Sequence, residues 1–141
     1  MTDIVLDTNC LLACLPRRSP FRHIWEALFA GRSTLCFTTD ILDEYEEIIA
    51  QKTNPEIAGN VIRLILEKSN TKKIDVFFKF ELITVDPDDN KFVDCAVAAG
   101  ANFIVSNDRH FDVLKANQFP YVNVIKLDDY SEMIKDNAES I

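Results

Sequence analysis

Five short apolar runs constrain this chain more than any other feature. They are DIVLD at 3–7, TLCFT at 34–38, ELITV at 81–85, NFIVS at 102–106 and YVNVI at 121–125. A strand with one wet face alternates apolar and polar residues. These runs are short and apolar instead, as strands buried on both faces are. Helical patterns separate them. Residues 9–15 form one, ending before Pro16. Residues 20–30 form a second, with Phe21, Ile24, Trp25, Leu28 and Phe29 at helical spacing and Gly31 as the stop. Thr39 or Asp40 caps a third to about Lys52, and Pro55 opens a fourth to about Ser69. Lys72 and Lys73 fall in a loop, and 74–79 is a short helix. Residues 89–99, closed by Gly100, then 109–116 and 128–135 complete the set. Strands alternating with helices predict an α/β fold, a three-layer α/β/α sandwich around a mostly parallel sheet of about five strands. With 141 residues the chain is expected to be one domain over 1–135 with a polar tail over 136–141.

The acidic balance narrows the function. Lys and Arg number 15 against 23 Asp and Glu, a formal charge of −8. That sign argues against holding nucleic acid through a broad basic face. It leaves room for a nucleic-acid enzyme whose carboxylates hold cations, and it suits a basic protein partner. No apolar run approaches the ~20 residues of a membrane span. Asp3 and Asp7 interrupt the N-terminus, which does not read as a signal peptide, so cytoplasmic residence is the expectation. Cys10, Cys14, Cys36 and Cys95 form no C-x-x-C pair and read as buried, reduced thiols.

In an open parallel sheet, ligands bind beyond the carboxyl ends of the strands. Four acids are expected there. Asp7 ends the first strand, Asp108 follows the fourth, Asp89 opens the helix after the third, and Glu44 lies early in the helix after the second. At about 100° per residue, Ile41, Leu42, Tyr45, Ile48 and Ile49 form one stripe with Glu44 beside it. On the helix from Asp89, the buried face is Phe92, Val93, Ala96 and Ala99. Asp89 falls inside that arc and Asp94 nearly opposite, toward solvent. Taken singly, each acid has an ordinary reading: Asp7 and Asp108 as turn residues, Asp89 as a helix cap, Glu44 as a solvated side chain. Taken together at one edge, they raise one another's pKa unless cations relieve them. Mg²⁺ or Mn²⁺ suits such an all-oxygen set, and the chemistry it points to is phosphodiester hydrolysis by activated water. No Ser, Cys or His nucleophile arrangement competes. His23 and His110 read as surface or loop residues.

The stretch VDPDDN at 85–90 has the alternating acids of a calcium loop. Counted from Asp86, however, the sixth position is Lys91 where Gly is needed, and the twelfth is Val97 where Glu is needed. Asp86 and Asp88 therefore read as turn or capping residues, with Asp89 the one aimed at the core.

IVLDTN at 4–9, DILDEYEEII at 40–49, DPDDNKFVDCAVAAGA at 86–101 and FIVSNDRHF at 103–111 resemble, in order and spacing, a PIN-domain ribonuclease. The likeness is specifically to the VapC-like toxins of bacterial and archaeal toxin–antitoxin systems, and it covers nearly the whole chain. It implies that Asp7, Glu44, Asp89 and Asp108 hold one or two Mg²⁺ or Mn²⁺ ions for cleavage of RNA. Asn9 and Ser106 match positions that hydrogen-bond the metal shell. Asp112 is a secondary candidate, as is Asp88, which with Asp94 crowds the third motif. The resemblance also implies a homodimer and an antitoxin protein as partner, one that inserts a basic residue into the acidic pocket. Arg17, Arg18, Arg22, Lys91 and Arg109 are the cations placed to touch phosphates.

Other readings stay open. PIN folds also serve in RNA maturation and decay, so an RNA-processing nuclease that is not a toxin is one alternative. A phosphoacceptor receiver domain shares the α/β pattern, with Asp86 as acceptor after the third strand and Lys126 after the fifth; but Thr8 and Asn9 stand where a receiver needs acids. A PIN fold that only binds partners would show no stabilisation by Mn²⁺.

Overall fold

A computed structural model describes residues 2–67, 70–116 and 120–139 of the 141. Five strands form one sheet: β1 (Thr2–Leu6), β2 (Ser33–Phe37), β3 (Thr71–Lys73), β4 (Phe103–Val105) and β5 (Val124–Ile125). The order is β3-β2-β1-β4-β5, and every neighbouring pair is parallel. Ile4, Val5 and Leu6 of β1 are consecutive and all wholly buried, as are Leu35 and Cys36 of β2. Successive strand residues face opposite ways, so both faces of the sheet are covered. This is the expected α/β/α sandwich.

The helices are α1 (Thr8–Cys14), α2 (Arg22–Phe29), α3 (Thr39–Lys52), α4 (Pro55–Glu67), α5 (Asn90–Ala99) and α6 (Leu127–Glu139). α2 packs against α1 and α6, α3 against α4, and α5 lies on β1, β2 and β4. Their ends follow sequence chemistry. Thr38 caps α3 through its hydroxyl, and Asn54 caps α4 by accepting from the Ile57 amide. Gly100 closes α5 at φ +62°, a conformation that glycine adopts without strain. All four cysteines are free and buried. No helix among the described residues is long and apolar enough to cross a membrane.

The chain order reverses around β1. It runs outward through β2 and β3, returns to β4 on the other side of β1, and ends at β5. The reversal leaves a crevice beyond the carboxyl ends of β1 and β4, where such sheets bind ligands.

Several expected elements differ. The third strand is Thr71–Lys73 rather than 81–85. As an edge strand it pairs on one side only, with β2, and it can be polar; Lys72 forms an ion pair with Asp3 at 2.9 Å. Residues 81–85 form no strand. The Asn90 side-chain amide takes both the N–H and the C=O of Ile83, each at 2.8 Å, and Glu81 sits at φ +53°. No helix forms at 74–79, where Phe77 and Phe78 are exposed rather than aligned on a buried face. Residues Arg109–Ala116 form a 3₁₀ segment, η2, instead of an α-helix. β5 is confined to Val124–Ile125, and α6 continues past Lys135 because neither Gly nor Pro follows to stop it.

Candidate active site

Asp7 leaves β1 and caps α1. One carboxylate oxygen accepts from the Asn9 and Cys10 amides, at 2.8 and 3.2 Å. The other accepts from the Ser106 hydroxyl at 2.5 Å. Ser106 follows β4 and its oxygen also accepts from the Asp108 amide at 3.0 Å. Register makes this meeting inevitable: Leu6 pairs with Val105, and the Asp7 amide donates to the Val105 carbonyl. Only 7% of Asp7 is exposed. Burial raises its pKa above the ordinary carboxylate value, against the pull of Ser106 and the two amides, and the charge of Asp108 adds to the rise.

Asp89 ends a 3₁₀ turn, η1 (Pro87–Asp89), just before α5. It makes no side-chain cap, so the ordinary capping reading does not account for it. Its carboxylate meets the His110 Nδ1 at 2.9 Å, and the same nitrogen lies 3.4 Å from Asp108. Burial raises the Asp89 pKa, His110 opposes that, and the charges of Asp86 and Asp108 reinforce it. Asp86, Asp89 and His110 bring ligand atoms within 4.8 Å of one another. Asp86 itself is a turn residue whose side chain accepts from the Asp88 amide.

Glu44 stands on α3 beside the buried Ile41, Tyr45 and Ile49. One of its oxygens accepts from the Thr8 hydroxyl. The other lies 2.6 Å from the Lys91 ammonium, which also reaches Asp88 at 3.0 Å. Burial pulls the Lys91 pKa down, but Glu44 and Asp88 outweigh it and the net shift is upward. Lys91 in turn holds Asp88 below its ordinary value. Tyr45, wholly buried next to Glu44, donates to the Leu6 carbonyl at 2.5 Å and so braces the chain just before Asp7.

The four expected acids therefore fall into two groups. Asp7 and Asp108 line a cavity of about 310 Å³ with Asn9, Cys10 and Asn107. Asp89 joins them through His110. Glu44 lines a separate, larger cleft of about 1020 Å³ with Asp88 and Lys91. Cys10 is no nucleophile, because burial, with the charge of Asp7, pushes its thiol well above the usual range.

The secondary candidates sort unevenly. Ser106 bridges Asp7 and Asp108, and Asn9 lines their cavity. Asp112 is exposed and paired with Lys115 instead. Asp94 is 5% exposed and accepts from the Phe80 amide, so the expected solvent-facing orientation is corrected. The wheel placed it opposite the sheet, but the irregular segment before α5 folds over that side. Arg17, Arg18 and Arg109 are exposed, whereas the Arg22 guanidinium donates to the Leu15 carbonyl after α1.

His110 is the residue the sequence reading missed. Its one signal was its position two residues after Asp108. Asp89 holds the imidazole protonated above its ordinary value, aided by the charge of Asp108. A raised pKa stabilises the fold fully below the unfolded value of 6.5 and ceases to do so as pH rises through the folded value. In EDTA, His110→Ala is expected to lower the melting temperature more at about pH 6 than at about pH 9. An equal deficit at both would show the imidazole uncharged.

A family model described as PIN domain matches residues 3–110. The chain belongs to the PIN-domain family. No curated protein sequence matches it. Among solved structures, this PIN domain is similar to VapBC2 from Rickettsia felis bound to a DNA fragment from their promoter, at 18% identity and a TM-score of 0.61. That match covers 88% of this chain and 98% of the other. DNA-bound VapBC from Salmonella typhimurium aligns at 17% identity and a TM-score of 0.60, over 90% and 99%. The PIN domain of T. brucei RRP44 aligns at 13% and 0.52, over 98% and 84%. At these identities the likeness shows the fold.

Proposed function

We propose that this PIN-domain protein is a divalent-metal-dependent endoribonuclease, the toxin of a toxin–antitoxin pair. The observation that carries the reading is the convergence of Asp7, Asp89 and Asp108 near the ends of β1 and β4, bridged among the described residues by Ser106 and His110. Three carboxylates, two of them with raised pKa, hold more negative charge than one imidazole offsets. The donor set is almost wholly oxygen and suits Mg²⁺ or Mn²⁺. Asp7, Asp89 and Asp108 would hold such an ion, while Glu44, the fourth expected acid, lines the larger cleft. When bound, it supplies charge neutralisation for a phosphodiester and acidifies water for attack on phosphorus.

The protein's own groups do the positioning. Ser106 ties the Asp7 carboxylate to the Asp108 backbone amide, while the Asn9 and Cys10 amides lock Asp7 against rotation. Asn107 keeps the next turn in place by accepting from the Leu127 amide. Arg17, Arg18 and Arg109 are the exposed cations for phosphates outside the crevice. An antitoxin fits the large cleft, whose lining includes Asp40, Asp43, Glu47, Asp75 and Glu81 and attracts a basic segment. A cytoplasmic homodimer belongs to the same reading.

The phosphoacceptor alternative needs Asp86 at the end of a strand, and 81–85 is not one. The expected result is cleavage of a single-stranded RNA oligonucleotide that stops in EDTA and returns with Mn²⁺ or Mg²⁺. Cleavage that persists in EDTA overturns the proposal, as does a protein that Mn²⁺ stabilises against melting but that leaves RNA intact.

A further inference from the structure

The metal reading leaves one charge without a role. Lys91 follows Asp89 by two residues and pairs with Glu44, whose other oxygen accepts from Thr8, the residue after Asp7. Its side chain is 17% exposed and is held by two ion pairs, to Glu44 at 2.6 Å and Asp88 at 3.0 Å. With Thr8 on the other oxygen, both oxygens of Glu44 are engaged within the chain. Among the described residues, the His110 imidazole is the one basic group paired with Asp89 and Asp108, and Asp7 is held by Ser106 and two backbone amides.

We propose that Lys91 is a built-in second cation of this site: its ammonium, fixed on Glu44 and Asp88, meets the scissile phosphate, and the chain takes one divalent ion rather than two. The proposal rests on the nuclease reading above. Three features carry it. First, an ammonium has three donors, and Lys91 directs two of them to Glu44 and Asp88. The third makes no hydrogen bond among the described residues, with the Phe92 ring centroid 5.7 Å from the nitrogen, and Lys91 lines the open cleft, where a phosphate oxygen can reach it. Second, Glu44 has one oxygen on Lys91 and the other on the Thr8 hydroxyl, so it is a poor ligand for another cation. Third, the lysine is ordered before any substrate arrives, and a charge fixed in advance stabilises a developing one without reorganisation. An ammonium neutralises a phosphoryl oxygen but does not acidify water. The nucleophile side of the reaction therefore stays with Asp7, Asp89 and Asp108.

The test uses the full chain as wild type, Lys91→Met, Lys91→Gln and Lys91→Arg. Lys72→Met makes the same charge change in β3, away from the site. Mn²⁺ is titrated by calorimetry, and single-turnover cleavage of a single-stranded RNA oligonucleotide is followed at saturating Mn²⁺. The wild type is expected to take one Mn²⁺. Lys91→Met and Lys91→Gln should bind the first Mn²⁺ within about threefold of wild type yet cleave roughly 100-fold more slowly, the usual scale for losing one preorganised donor. Lys91→Arg should recover part of the rate, and Lys72→Met should change neither readout. Melting in EDTA checks that each variant folds, and Lys91→Gln decides the matter where Lys91→Met does not fold. Two Mn²⁺ in an active wild type overturns the Lys91 proposal alone, as does wild-type cleavage by either uncharged variant. So does a tenfold loss of first-ion affinity, which would make Lys91 a support of the acids. A wild type that binds no Mn²⁺ and cleaves no RNA removes the nuclease reading and this proposal together.

Discussion

Asp7→Asn should abolish RNA cleavage while leaving the protein folded, and in EDTA its melting temperature should equal or exceed that of the wild type. The loss is expected to be roughly 10³-fold or more, because several kcal/mol of charge stabilisation go with the ion. The stability half of the result follows from the raised pKa of Asp7. A carboxyl whose folded value lies above its unfolded 3.8 contributes stability at low pH and loses it as pH rises through the folded value. Once ionised, the buried Asp7 therefore costs stability. Asn removes the charge and still accepts from the Asn9 and Cys10 amides, since Asn caps helices about as well as Asp. The variant's advantage should grow as pH rises from the unfolded 3.8 through the folded value. Cleavage and melting together make the check. A variant that cleaves normally, or one that melts well below wild type in EDTA, would show that Asp7 serves the fold and not the chemistry.

Phe111→Ala is expected to have the largest effect on stability, a loss of about 3–5 kcal/mol by denaturant unfolding. Phe111 is wholly buried, and its ring meets Phe92 edge-on with centroids 6.4 Å apart. Phe92 belongs to α5 and Phe111 to η2, so the pair ties together the elements that carry Asp89 and His110. An edge-to-face pair adds to plain burial, and a 3₁₀ segment has poorer internal hydrogen bonds than an α-helix to compensate for its loss. The same variant should cleave RNA more slowly because the 2.9 Å contact between Asp89 and His110 loosens. A loss below about 1 kcal/mol would place the site outside the usual range for a large buried aromatic.

The parts of the fold that could be read from the sequence are those whose cause is local. β1, β2 and β4 announce themselves as apolar runs because both their faces are buried, and α3 by the stripe through Ile41, Tyr45 and Ile49. What could not be read depends on partners far along the chain. Thr71–Lys73 is too polar to look like a strand, yet the edge of β2 gives it hydrogen bonds. Glu81–Val85 has strong strand propensity, yet one amide, on Asn90, captures Ile83 from both sides. The site divides in the same way. Asp7, Asp108 and Ser106 follow from strand ends and register. The ion pair that engages Glu44, the burial of Asp94 and the place of His110 between two acids all needed the tertiary arrangement.

The two outermost strands have a further consequence. β3 is three residues long and carries Lys72 and Lys73; β5 is two residues long. A strand that short, or one lined with lysine, is a poor template for an incoming chain. Neither margin of this sheet invites strand addition by a second copy or the stacking that begins a fibril. Self-association is therefore left to the helices and loops, and at high protein concentration the sheet offers little free backbone on which to start an aggregate.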